Sequence, residues 1–434
     1  MEEVKTKPVQ QADKVQKILF WTMIVSAVMF VAALIIYIST EWGHMFSDFA
    51  ETLSYCLAEN PYNGVNNMYS IYPPFAFLPF YLFALICKPS LTKYIAGEMT
   101  LNQISRDPSF IISFLLFYFI CMAIVMLLAA KLSKFKGKKL AYLLVSIFCF
   151  APFAYCLFRG NNIIFACILV MLFFMMYNSE KRWQRELANL CLAGAIAVKI
   201  YPALLLVFFL KDRRFWDLLK TLLYAVALIF LPFLLIDGGF KNIKEIWANF
   251  TRFNGGQGRD MNWTNIGFDG LASKIASLLH LPVLHSLLSK FFRFGSIIVT
   301  IVALILAKNS KLKMQPILIT LLTYELFQGV SYAYTLTMLI VPIIIYLVEF
   351  DNLSKLDKYF YGICFALIAF PLTAGIKYLF IVAQLAAVTL LVNGYVDLFN
   401  EFNKNLKAKK AAKLAAKQEE QTEETTTEQS AENA

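Results

Sequence analysis

The sequence is poor in charge: only 16% of its 434 residues are Asp, Glu, Lys or Arg, against 59% apolar, so the chain is too greasy for a soluble globular protein. Histidine is scarcer still. His44, His280 and His285 are the only three, and they do not have metal-ligand spacing with acidic partners. The expectation is accordingly no bound metal and no cofactor. The eight cysteines form no spaced pattern and all but Cys56 fall within apolar runs, so neither a disulfide framework nor a zinc site is indicated. There is no phosphate-cradling Walker loop, no dinucleotide fingerprint and no GxSxG, which argues against a nucleotide-driven pump and a serine hydrolase. Lys and Arg outnumber Asp and Glu by 40 to 29, but most of them sit in short clusters between apolar runs, where the positive-inside rule accounts for them. A nucleic-acid role is therefore rejected.

What the chain has in abundance is apolar sequence long enough to cross a bilayer. Ten runs, from about 18–39 to about 377–398, span or nearly span, and two more, 72–88 and 187–210, are short or broken by proline. The predicted fold is all-α and polytopic, with about 11–13 transmembrane or re-entrant helices over residues 18–400. Residues 1–17 are polar and carry four lysines, and 18–39 reads as an uncleaved anchor. The basic linkers place the stretches 41–74 and 237–290 outside, as a first and a long outer loop. Between its basic flanks, 187–210 must enter and return. Twenty-four residues are too few for two crossings, so the segment reads as a hairpin of short helices bent near Lys199-Ile200-Tyr201-Pro202. Irregular backbone at that depth is tolerated only against protein or a wet cavity. The tail, 401–434, is basic and Ala-rich through Lys417, then acidic and Thr-rich, and is expected to be cytoplasmic and disordered at its end.

The stretch from Glu41 to Pro74 is polar and acidic between greasy flanks. Wound as a helix, it gathers Trp42, Met45, Phe46, Phe49, Leu53, Cys56 and Leu57 on one side, and His44, Asp48, Glu51 and Tyr55 on the other. The expected placement is in the membrane interface, with the apolar side in lipid. Asp48 is the candidate base, its pKa raised by Glu51 or by partial burial; on composition alone the simpler alternative is an ordinary solvated face. Lys199 is an ionisable residue at membrane depth, suited to a lipid-linked phosphate or, more blandly, snorkelling at a helix end. Arg159-Gly160-Asn161-Asn162 could bind a sugar or phosphate, or be a tight turn. In the long outer loop Arg252 and Arg259 suit phosphate, and Trp263 a sugar face.

With these residues in hand, the chain resembles glycosyltransferase family 87. The resemblance rests on Asp48-Phe49 followed by Tyr55, then Asn60-Pro61-Tyr62, Tyr72-Pro73-Pro74 leading into Leu78-Pro79, Gly160-Asn161, and Val198-Lys199-Ile200-Tyr201-Pro202, in that order. It runs through about residues 18–236. It implies a membrane-embedded GT-C-type enzyme that uses a polyprenyl-phosphate sugar, with Asp48 as the catalytic carboxylate of the first outer loop, in the plasma membrane of a bacterial cell. The family's Gly-Gln-x-Asn is here Gly160-Asn161-Asn162-Ile163, and a histidine that some members carry in a late outer loop corresponds to the stretch Gly329 to Tyr334. If a histidine role is needed there, a tyrosine must replace it or the chemistry differs.

The expected activity is inverting transfer of a hexose or pentose, mannose first, to a lipid-linked or cell-envelope glycan. Asp48 would act as general base. Lys199, with Arg159 or Arg252, would meet the leaving phosphate, and Asn161, Asn162, Tyr72, Tyr201, Glu51 and Tyr334 would line the substrate site. A transporter or flippase is the rival from another class, since broken helices also build transport sites. It should repeat its hydropathy pattern in two halves, and the acidic first loop has no counterpart in the second half. A polysaccharide polymerase or ligase is a third possibility, which would lean on late-loop arginine and histidine.

Overall fold

The computed structural model describes residues 46–64, 69–260, 264–306, 313–369 and 377–432, with scattered positions between 17 and 35. The predicted anchor 18–39 and the residues Glu41, Trp42, His44, Met45 and Trp263 lie largely or wholly outside the described residues, as does the side chain of Arg259. Within the described residues the chain is helical and has no strand. Among the described residues five helices are long and apolar enough to cross a membrane, or seven if each of two bent pairs counts as one span, and three more apolar helices are shorter. The sequence-based count of 11–13 included such broken pieces. Proline and polar turns cut several apolar runs below a full crossing.

Nine helices frame the site: α1 Ser47–Leu57, α2 Pro108–Ser133, α3 Ala151–Arg159, α4 Ile163–Met176, α5 Arg182–Val198, α6 Asn242–Asp260, α7 Phe268–Leu278, α8 Pro282–Leu306 and α9 Met314–Phe327. Their ends reflect local chemistry. Asp107 caps α2 by accepting from Ser109 N at 3.0 Å and Phe110 N at 3.3 Å, and Pro108 occupies the first turn, where a missing N–H costs nothing. Gly160 ends α3 in the left-handed region at φ 65°, which suits a residue without a Cβ. α9 is largely apolar, shows no separate polar face and is buried on all sides, with Glu325 inside it.

The two irregular segments are where proline predicted them. Pro74–Phe80 is a 3-10 turn running into Tyr81–Ile86, after which the chain bends by 111° into Lys88–Ile95. α5 stops at Val198, Lys199 is extended, and Tyr201–Leu206 resumes as a 3-10 helix with Pro202 in its first turn. The hairpin does return. Tyr177 Oη donates to the Phe208 carbonyl at 3.0 Å and to Asp212 at 2.7 Å, and Arg214 donates to the Tyr177 carbonyl, so the end of the segment lies beside the end of α4, which leads into α5.

α1 differs from expectation. Its apolar face meets protein and not lipid: Phe49 is fully buried, with ring centroids of Phe110, Phe114 and Phe117 within 5.1–5.5 Å, and Phe46 packs 4.7 Å from Phe114. An amphipathic moment reports which face is buried and is silent on the solvent that face avoids. The tail differs too. One helix, Lys377–Glu432, runs through the acidic segment that composition assigns to disorder; the stretch holds no Gly or Pro beyond Gly394, and Ala, Lys, Glu and Gln are good helix formers.

Candidate active site

Asp48 sits in the first turn of α1, and the same helix buries Phe49 against the turn that ends α3. The approach is close: a Cβ built on Gly160 would stand 2.4 Å from the Phe49 Cβ, so only glycine admits the helix. That contact brings the neighbours of Gly160 onto the carboxylate. Arg159 donates Nε to Asp48 Oδ2 at 2.8 Å and a second guanidinium nitrogen to Oδ1, a bidentate pair, and also donates to Ser47 Oγ at 3.0 Å. Asn161 Nδ2 donates to Asp48 Oδ2 at 2.8 Å, while its own oxygen accepts from Ile163 N. Arg159-Gly160-Asn161 is thus both a tight turn and a clasp.

The electrostatics reverse one expectation. Burial would raise the Asp48 pKa, but the Arg159 charge and the Arg159 and Asn161 hydrogen bonds outweigh it and hold the carboxyl below its usual range. Glu51, one turn on, has no such clasp. Burial pushes it up to about 7, although Tyr55 Oη donates to it at 2.6 Å. The pair therefore splits into a firmly ionised Asp48 and a Glu51 poised near neutrality.

Two cavities share a wall here. A polar pocket of about 160 Å³ is lined by Asp48, Glu51, Arg159, Asn161, Asn162 and aromatic side chains. Beside it lies a cavity of about 1240 Å³, mostly apolar, with Lys199 and Tyr201 on one side and Lys241, Lys244 and Trp247 of the α6 region on another. Tyr72, Tyr332 and Tyr334 line both. The larger space exceeds the roughly 300–1,000 Å³ of a pocket for a drug-sized ligand and suits an amphiphile's chain. Lys199 is 8% exposed, and its ammonium has no hydrogen-bond acceptor among the described residues; it lies 5.9 Å from the Tyr72 ring centroid. A buried ammonium facing an apolar cavity is suited to an anionic group.

Loop contacts place the tyrosines. Asn265 Nδ2 donates to the Gly329 carbonyl at 2.8 Å, and its oxygen accepts from Ser331 N, which fixes the entry to the 3-10 segment Ala333–Leu339. Tyr332 and Tyr334 then stack at 5.6 Å, and the Arg159 guanidinium stands 5.6 Å from the Tyr334 ring centroid. Asn249 of α6 donates to the carbonyls of Tyr62 and Ser70, docking the first loop on the long one.

Of the predicted site residues, Asp48, Glu51, Arg159, Asn161, Asn162, Tyr72 and Tyr334 converge on the pocket, and Lys199 and Tyr201 join at the larger cavity. Arg252 lines neither: its guanidinium lies over Tyr69 at 4.3 Å, at the pocket's margin. Glu325 was missed. It is fully buried in α9, accepts from Gln328 Nε2 at 3.2 Å, and is near enough to Lys199 for their charges to interact. A carboxylate inside an apolar run was the available signal. Among the described residues no three His, Cys, Asp or Glu side chains converge as a metal would require.

Fold and site together define a polytopic, all-α membrane protein whose polar pocket shares a wall with a large, mostly apolar cavity. The chain belongs to glycosyltransferase family 87, whose model matches residues 71–323, more than half of the sequence, and it is a membrane glycosyltransferase. The match begins and ends later than the motif order suggested. It takes in Tyr72, Arg159, Asn161, Asn162, Lys199, Tyr201 and Arg252, but not Asp48, Glu51 or Tyr334. No curated protein and no solved structure matches the chain.

Proposed function

We propose that the enzyme transfers a single sugar, mannose before other hexoses or pentoses, from a polyprenyl-phosphate donor to a lipid-linked or cell-envelope glycan. The reaction takes place at the outer face of a bacterial plasma membrane. The observation that carries this reading is the adjacency of the two cavities: a wide apolar space with a buried Lys199 lies beside a small polar pocket that holds Asp48, and Tyr72, Tyr332 and Tyr334 line both. An amphiphile with a phosphate at the junction of its tail and its sugar matches that order of surfaces.

In the reaction, Asp48 takes the proton of the acceptor hydroxyl and the oxygen attacks the anomeric carbon from the side opposite the phosphate. The bond from that carbon to the phosphate oxygen breaks, the configuration inverts, and polyprenyl phosphate leaves with the electron pair. Lys199 meets the developing charge in a site poor in water, where such contacts count for more than in bulk. Arg159 has a double role. Clasped on Asp48 it makes the carboxylate a weak base; drawn partly to the donor phosphate, it restores the base where the sugar is bound. Cations from the protein and a leaving group that is already a phosphate leave no step for a nucleotide or metal.

The test supplies polyprenyl-phosphate mannose, glucose and arabinose to the purified protein in nanodiscs and follows sugar transfer. Asp48→Asn should lower the rate by about 10²- to 10⁴-fold, the usual worth of a general base. Full transfer by Asp48→Asn would sink the mechanism, and no consumption of any lipid-linked sugar by the wild type would favour a transporter.

A further inference from the structure

Asn162 is 1% exposed and lines the pocket that holds Asp48, yet among the described residues neither its Oδ1 nor its Nδ2 has a hydrogen-bond partner. Its neighbour in the turn is engaged at both ends, Asn161 donating from its amide nitrogen to Asp48 and accepting at its amide oxygen from Ile163 N. The two residues are therefore not equivalent. One builds the site; the other has a donor and an acceptor left over. A buried amide with both ends unpaired is a standing cost to the fold, since each polar atom gives up water and gains nothing. An amide offers an acceptor and a donor side by side, which complement two neighbouring hydroxyls of a sugar ring, each hydroxyl able to give one bond and take another. The stacked rings of Tyr332 and Tyr334 on the same pocket provide the apolar surface such a ring needs.

We propose that Asn162 is the specificity-determining residue of this glycosyltransferase, reading a pair of adjacent ring hydroxyls through its otherwise unpaired amide. The inference rests on the sugar-transfer reading above and sharpens it. Rejection is the stronger half of the effect: a ligand lacking one of the two hydroxyls leaves a buried amide atom unpaired in the complex. A site built this way can discriminate by up to about 10⁴–10⁵. A purely apolar pocket of the same size would discriminate far less.

The experiment uses the full chain in nanodiscs and the variants Asn162→Leu and Asn162→Ala. Leu keeps the volume and removes both polar atoms, so its thermal midpoint should equal or exceed that of the wild type; a clear fall for both variants would mean a structural amide and overturn the proposal. Binding is read first, as the protection against thermal unfolding given by methyl mannoside, glucoside and galactoside and by their 2-, 3-, 4- and 6-deoxy forms. The wild type should lose protection with deoxygenation at two adjacent positions, and Asn162→Leu should bind parent and deoxy forms alike. Equal selectivity in wild type and variant overturns the inference. Transfer is read second, with deoxy donors in one arm and deoxy acceptors in the other. The arm in which Asn162→Leu narrows the kcat/KM ratio by 10-fold or more identifies whether donor or acceptor sugar occupies the pocket. If selective binding is lost in the variant but no donor is consumed by the wild type, the sugar-reading role of Asn162 stands and the transfer reading falls.

Discussion

Asp48 and Glu51 lie one turn apart on the same face of the same helix, yet their proton affinities diverge. Asp48 has a guanidinium and an amide on it; Glu51 has a phenol and little else. Burial pushes Glu51 up to about 7, from 4.5 for an ordinary glutamate. Between those two values the folded chain keeps a proton that the unfolded chain has released, so the stability from this group is complete below about 4.5 and is lost as pH rises through about 7. The thermal midpoint in detergent should therefore fall between pH 5 and pH 8, and Glu51→Gln should flatten that slope. An unchanged slope in the variant would show that other groups carry the effect. The residues of this face were legible as a set, because polar side chains at helical spacing stand out from apolar flanks. Their division of labour was not, because Arg159 is 111 residues from Asp48 and no local pattern joins them.

The contact between α1 and the end of α3 positions the clasp, and its tolerance is set at Gly160. Gly137 supplies an internal comparison. Both glycines have positive φ, but a Cβ on Gly137 meets nothing within 4 Å, whereas one on Gly160 collides with Phe49. Gly137→Ala should cost about 1–2 kcal/mol, the strain of a side chain in left-handed backbone. Gly160→Ala should add an overpacking cost of about 1–3 kcal/mol and displace α1, with transfer activity lost along with stability. Equal unfolding midpoints for the two variants would contradict the packing argument. At this scale the breaks were readable from the chain. Pro202 after Lys199 and the glycine of Arg159-Gly160-Asn161 mark ends that any neighbouring structure must respect. The partner of the α1 apolar face was not readable, since lipid and a bed of phenylalanines reward the same stripe.

Across the whole molecule, the site gathers the first loop, the α3–α4 turn, the break after α5 and the segment after α9 around two adjacent cavities. Lys199 is the buried cation on the larger one, and its charge interacts with that of Glu325 on the neighbouring α9. Lys199→Met should raise the donor KM by about 10- to 100-fold, the worth of a charge-assisted contact to phosphate, with a smaller effect on kcat if that contact is already made in the bound donor. A donor KM equal to that of the wild type would remove Lys199 from phosphate binding.

Composition determined by itself that this is an all-α polytopic membrane protein, because apolar length is a local property that a chain crossing the bilayer as helices must display, and the resemblance carried by a few short motifs in order pointed to the glycosyltransferase family. Only the tertiary structure decided that Asp48 is clasped by Arg159, that Glu51 is poised near neutrality, and that Asn162 keeps an unpaired amide. Each of those depends on which distant side chain arrives at a few ångströms, and that is set by packing across the whole chain.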